Sequence, residues 1–78
     1  TIMILDITLP GINGLDVCRD LRADEQTKNI KIIAISGDLG YSETEVLEAG
    51  ADSFFTKPVN FENLLTLCNE YLEKPKNL

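Results

Sequence analysis

Three short apolar runs punctuate the chain, and each is followed by a polar turn and then by apolar residues at helical spacing. Thr1-Ile2-Met3-Ile4-Leu5 is apolar without alternation, the pattern of a strand buried on both faces of a parallel sheet. Turn formers at Pro10, Gly11, Asn13 and Gly14 then let the chain leave the strand and enter a helix. From Leu15 to about Ala23, Leu15, Cys18 and Leu21 recur on one helical face, while Arg19, Asp20 and Arg22 fill the others. Ile30 to Ile35 is β-branched and too short for a typical helix, so it predicts a central strand. Ser42 with Glu45 three residues later predicts a capping box, opening a short, acidic, exposed helix that stops at Gly50. Ser53 to Thr56 predicts a third strand. A last helix, capped by Asn60 and built on Leu64, Leu65, Cys68, Tyr71 and Leu72, is expected to end at Pro75.

Strand followed by helix, three times over, predicts an α/β fold in which right-handed crossovers join parallel strands and helices cover both sheet faces. In such sheets ligands bind at the carboxyl ends of the strands. The residues just after the apolar runs are Asp6, Ser36 and Lys57. A carboxylate, a hydroxyl and an ammonium brought together there suit phosphoryl chemistry. The carboxylate can attack phosphorus, and the lysine and hydroxyl can neutralise and hydrogen-bond the phosphoryl oxygens. Taken singly each has a plainer role: Asp6 as a turn residue, Ser36 as a strand terminator and Lys57 as a solvated surface charge. Only the set points to chemistry.

Composition narrows the partners. With 78 residues the chain is one domain at most, and 44% hydrophobic with 26% charged residues is the composition of an ordinary globular protein. The net charge of −6 and the scattered Lys and Arg argue against direct nucleic-acid binding, which needs clustered positive charge. No apolar run approaches the roughly 18 residues that span a bilayer, so the expectation is a soluble, cytoplasmic chain without a membrane partner. Cys18 and Cys68 fit neither a metal spacing nor a disulfide framework and read as small side chains on helix faces.

The motifs resemble those of the receiver domains of two-component response regulators. The match runs through Ile4-Leu5-Asp6-Ile7-Thr8-Leu9-Pro10-Gly11-Ile12-Asn13-Gly14-Leu15-Asp16-Val17 and Ile32-Ile33-Ala34-Ile35-Ser36-Gly37. It continues through Glu48-Ala49-Gly50-Ala51-Asp52 and Phe54-Phe55-Thr56-Lys57-Pro58. The resemblance implies a flavodoxin-like, doubly wound parallel sheet, here three strand–helix units from the phosphoacceptor strand onward, with the N-terminal part of the fold absent. It implies a truncated receiver domain over residues 1–74 and a tail or linker start over 75–78.

By the same resemblance, Asp6 is the phosphoacceptor, Ser36 the switch hydroxyl, Lys57 the family's lysine and Phe54 the switch aromatic. Mg²⁺ would be held by Asp6 and the Thr8 carbonyl, in a site left incomplete because the family's acidic pair lies before Thr1. The Lys57-Pro58 bond is expected to be cis, and Asp38 and the Thr8 side chain fall where the family tunes dephosphorylation. The partner implied is a sensor histidine kinase or a phosphotransfer protein. An open sheet edge at residues 1–5, or the face at 41–57, could pair copies of the chain.

The domain would be a signalling module and not an enzyme acting on an outside substrate. Two rivals share the architecture. A phosphatase of the haloacid dehalogenase class resembles Asp-x-Asp, but Thr8 stands at the second acid. A flavodoxin lacks its phosphate loop here. A receiver-like interaction module that is never phosphorylated, or an inactive fragment, stays open.

Overall fold

The structure, a computed structural model, describes residues 1–8, 11, 13–37 and 40–72. The elements follow the predicted order: β1 (Ile2–Asp6), α1 (Gly14–Ala23), β2 (Lys31–Ser36), α2 (Glu43–Glu48), β3 (Ser53–Thr56) and α3 (Phe61–Leu72). The ends of β1 and β2 differ from the sequence reading by one residue, so that Asp6 and Ser36 are the last residues of their strands, whereas β3 has the expected bounds. The tail at 75–78, the stop at Pro75 and Asp38 lie outside the described residues.

The sheet is parallel in the order β1-β2-β3. Its central strand is the most buried, with Ile32, Ile33 and Ala34 fully enclosed. Side chains alternate across a strand, so Ile32 and Ala34 face one side. There they join Ile7, Leu15, Cys18, Val46, Ala49 and Ala51, placing α1 and α2 on that face. Ile33 points to the other face, as do Lys31 and Ser53. Tyr71 of α3 meets both, with its hydroxyl against Ser53 Oγ and its ring 5.4 Å from Lys31 Nζ. Helices therefore cover both faces.

Local chemistry sets the helix ends. Asn13 Oδ1 accepts from the N–H groups of Leu15 and Asp16, satisfying two of the free donors that open α1. The Ser42/Glu45 capping box is present in both directions, each bond 3.1 Å. Asn60 Oδ1 accepts from Asn63 N–H at the start of α3.

Three expectations are corrected. β1 is not buried on both faces, since Ile4 is 49% exposed, while its place at an open edge of the sheet, among the described residues, is as expected. In α3 no residue is fully buried. Leu64, Leu67, Cys68 and Tyr71 are half-buried, whereas Leu65 at 47% and Leu72 at 59% are exposed together with Phe61. The apolar positions of α3 wrap further round the helix than three strands can cover.

The third correction concerns Arg22, which is not simply a solvated face residue. Its Nε donates to the Gly50 carbonyl at 2.8 Å, and its Nη1 donates to the carbonyls of Lys28 at 2.9 Å and Ile30 at 2.6 Å. Its Nη2 meets Asp52 Oδ2 at 2.7 Å, and that oxygen also accepts Ile32 N–H at 2.8 Å. The planar fork of a guanidinium thus ties α1 to the turns before β2 and β3. Gly50, with φ of +122°, lies so close that a Cβ there would stand 2.6 Å from Arg22 Cγ.

Candidate functional site

Parallel register brings the predicted residues to one end of the sheet. Asp6 pairs with Ile35, one residue before Ser36, and Ser36 pairs with Thr56, one residue before Lys57. The Lys57 N–H donates to the Ser36 carbonyl at 2.8 Å, and the Ile7 N–H to the Ile35 carbonyl at 2.9 Å, extending both ladders past the strand ends. The Lys57-Pro58 bond is cis, as expected.

Gly14 fixes the approach of the loop that leaves Asp6. A Cβ at Gly14 would stand 2.4 Å from Ile7 Cα, so only glycine lets α1 begin this close to the residue after the carboxylate.

The two oxygens of Asp6 are engaged differently. Lys57 Nζ donates to Oδ2 at 2.6 Å. Oδ1 accepts from the Thr8 N–H at 2.9 Å and from the Thr8 hydroxyl at 2.8 Å. The Lys57 ammonium foremost, then the Thr8 N–H and hydroxyl, hold the Asp6 carboxyl down at about 2, below its ordinary value of 3.8, with partial burial opposing them. Asp6 is therefore an anion throughout the physiological range, with its side chain 21% exposed and reachable from solvent. Lys57 is 45% exposed, and its mobile ammonium can follow a charge that forms beside it.

Ser36 is fully buried at the end of β2. Phe54 is half-buried and packs against the main core from β3, beside the strand that carries Ser36. The structure thus brings Asp6, Thr8 and Lys57 into direct contact, and places Ser36 one residue along the ladders from both Asp6 and Lys57. The Thr8 side chain was placed from sequence only at a position the family varies, and its hydroxyl bond to Asp6 was not foreseen. Threonine two residues after an aspartate is also a common local turn, so the pattern alone carries no signal for it.

A hard divalent cation such as Mg²⁺ demands about six oxygen ligands in near-octahedral array. Among the described residues no group of three or more acidic, His or Cys side chains could hold a metal, and Asp6 is the carboxylate at this end of the sheet. Asp6 and the Thr8 carbonyl do not by themselves fit the ion.

Comparison with known proteins agrees with this geometry. The family model described as the response regulator receiver domain matches residues 1–69. The response regulator ArlR of Staphylococcus aureus is 38% identical over 73 residues, which are 94% of this chain and 32% of that protein. The signal receiver domain of a DNA-binding response regulator from Colwellia psychrerythraea superposes with a TM-score of 0.85 at 28% identity, covering 94% of this chain and 60% of that one. The receiver domain of a sensor histidine kinase from Pseudomonas aeruginosa, solved with magnesium coordinated in its active-site cleft, gives a TM-score of 0.72 at 26% identity, covering 87% and 57%.

The chain belongs to the response regulator receiver domain family. It is a signalling domain with the flavodoxin-like α/β fold of that family, present here as three parallel strands and three helices. It spans about a third of the length of the curated relatives it matches. No helix among the described residues is long and apolar enough to cross a membrane.

Proposed function

We propose that this chain is the phosphoacceptor part of a receiver domain, from the acceptor strand onward, and that Asp6 takes a phosphoryl group from a sensor histidine kinase or phosphotransfer protein. Residues 1–74 form the domain and 75–78 begin a tail or linker. The observation that carries this reading is the ionised Asp6 carboxylate at the carboxyl end of the sheet, bonded at 2.6 Å to a half-exposed lysine.

In the step, a carboxylate oxygen attacks phosphorus, an O–P bond forms and the P–N bond to the donor imidazole breaks. The departing nitrogen keeps the electron pair and takes a proton. Lys57 then neutralises a phosphoryl oxygen and Ser36 hydrogen-bonds another. Movement of Ser36 toward the phosphoryl group opens space for the Phe54 ring. The surface around residues 41–57 then changes its affinity for a partner.

Mg²⁺ is the cofactor we assign to the transfer. It would draw on Asp6, the Thr8 carbonyl and ligands from outside the described residues. That shortfall favours one second reading, an interaction module that is not phosphorylated.

Intact mass after incubation with acetyl phosphate and Mg²⁺ separates the two readings. The phosphoacceptor reading gives a phosphate-sized gain that is lost in Asp6→Asn. An unchanged mass here with uptake by the full-length parent would mark an inactive fragment, and uptake by neither would favour the interaction module.

A further inference from the structure

Thr8 places one oxygen between two partners from different strands. Its hydroxyl donates to Asp6 Oδ1 at 2.8 Å, and the Gly37 N–H donates to the same hydroxyl oxygen at 3.4 Å. A hydroxyl has one proton and two lone pairs. Committing the proton to the carboxylate fixes the rotor and turns the lone pairs toward Gly37. The contact to Gly37 is long for an N–H···O bond and therefore weak, so it is sensitive to how the hydroxyl is oriented. Gly37 also lies beside the other arm of the site, since a Cβ built on it would be 3.4 Å from Lys57 Cδ.

We infer that Thr8 is a positioning residue whose hydroxyl couples the charge on Asp6 to the Gly37 amide, giving the turn after β2 a line to the site separate from the Ser36 hydroxyl. The bond from Thr8 to Asp6 is charge-assisted, and neutralising the carboxylate roughly halves the strength of such a bond. The hydroxyl proton is then held less firmly, and the Gly37 N–H faces a less well-oriented acceptor. Serine keeps the bridging oxygen. Valine keeps the shape and loses both bonds.

The inference rests on the phosphoacceptor reading for its natural trigger, but the coupling can be measured without a phosphoryl donor. Asp6→Asn removes the charge and keeps the outline of the side chain. The Gly37 amide ¹⁵N and ¹H shifts are compared between Asp6 and Asp6→Asn in three backgrounds: unaltered, Thr8→Val and Thr8→Ser.

The coupling predicts that the Gly37 response to Asp6→Asn falls by at least about half with Thr8→Val and is kept with Thr8→Ser. An equal response in all three backgrounds overturns it, because a threonine that merely closes its local turn would leave Gly37 indifferent. Should Thr8→Val fail to fold, Thr8→Ala serves the same comparison. Phosphate uptake without this coupling defeats the present inference alone, and coupling without uptake defeats the phosphoacceptor reading alone.

Discussion

Replacing Arg22 by alanine should be among the most damaging single changes outside the core. The side chain makes four hydrogen bonds, three of them to main-chain carbonyls and one to a carboxylate that also holds Ile32 N–H. A bond involving a charged group contributes about 1.5–3 kcal/mol. The sum is not reached, because Arg22 and Asp52 are 24% and 28% exposed and several of the abandoned acceptors regain water. A loss of about 2–4 kcal/mol is expected.

A domain of this size has roughly 4–12 kcal/mol in all, so the urea midpoint should fall by about 1–3 M with the slope unchanged. Arg22→Lys keeps the charge but gathers its three donors on one nitrogen that cannot span the four acceptors the fork met, and should recover less than about half of the loss. An Arg22→Ala stability within about 0.5 kcal/mol of the parent would refute the claim that this side chain holds α1 to the turns before β2 and β3.

Other changes test the site and the packing around it. Lys57→Met removes the largest cause of the low Asp6 pKa, so the carboxyl should titrate above about 2 and nearer 3.8 by NMR. Asp6 is an acid with a depressed folded pKa, so its contribution to stability is complete above about 3.8 and is lost as pH falls through about 2. In Lys57→Met that acid loss should be smaller and be complete at a higher pH, because the folded pKa then lies nearer 3.8, and an unmoved Asp6 titration would contradict the pairing. Gly14→Ala forces a Cβ against the Ile7 backbone and should cost about 2–4 kcal/mol by urea titration, since main chain cannot swing aside as a side-chain tip does. Cys18 is enclosed, and burial raises its thiol pKa against the opposing pull of Arg22 and then Arg19, whereas Cys68 is only half-buried. Maleimide should therefore label Cys68 in the native state and reach Cys18 only on unfolding. Residues 1–78 prepared alone leave the outer edge of β1 open, so light scattering should show association through residues 1–5, and a stable monomer would count against it.

Much of the fold was legible because its signals are local. Short β-branched runs, the Ser42/Glu45 pair and the Asn60 cap each act within a few residues, and parallel topology then dictates that strand ends meet. Asp6 and Lys57 could be paired from sequence because each directly follows an apolar run.

What escaped depends on groups that leave no trace in the pattern of side chains. Three of the four acceptors of Arg22 are carbonyls, which every residue has, so nothing distinguished it from Arg19 on the same helix. The Thr8 side chain was singled out by resemblance, but its contacts were not foreseen for a related reason, since one of its partners is the backbone amide of Gly37, just past β2. Ile4 and Leu65 looked like core residues because apolar character records a preference for burial, while the exposure realised depends on how many strands and helices surround them.

The central claim is that Asp6 accepts a phosphoryl group, and reductive trapping tests it most directly. The chain is incubated with acetyl phosphate and Mg²⁺, treated with borohydride, which reduces an aspartyl phosphate to homoserine and leaves free carboxylates intact, and then digested for peptide mass analysis. The account predicts conversion at residue 6, with none in a sample that saw no phosphoryl donor. Conversion at another aspartate, or at none, would contradict it.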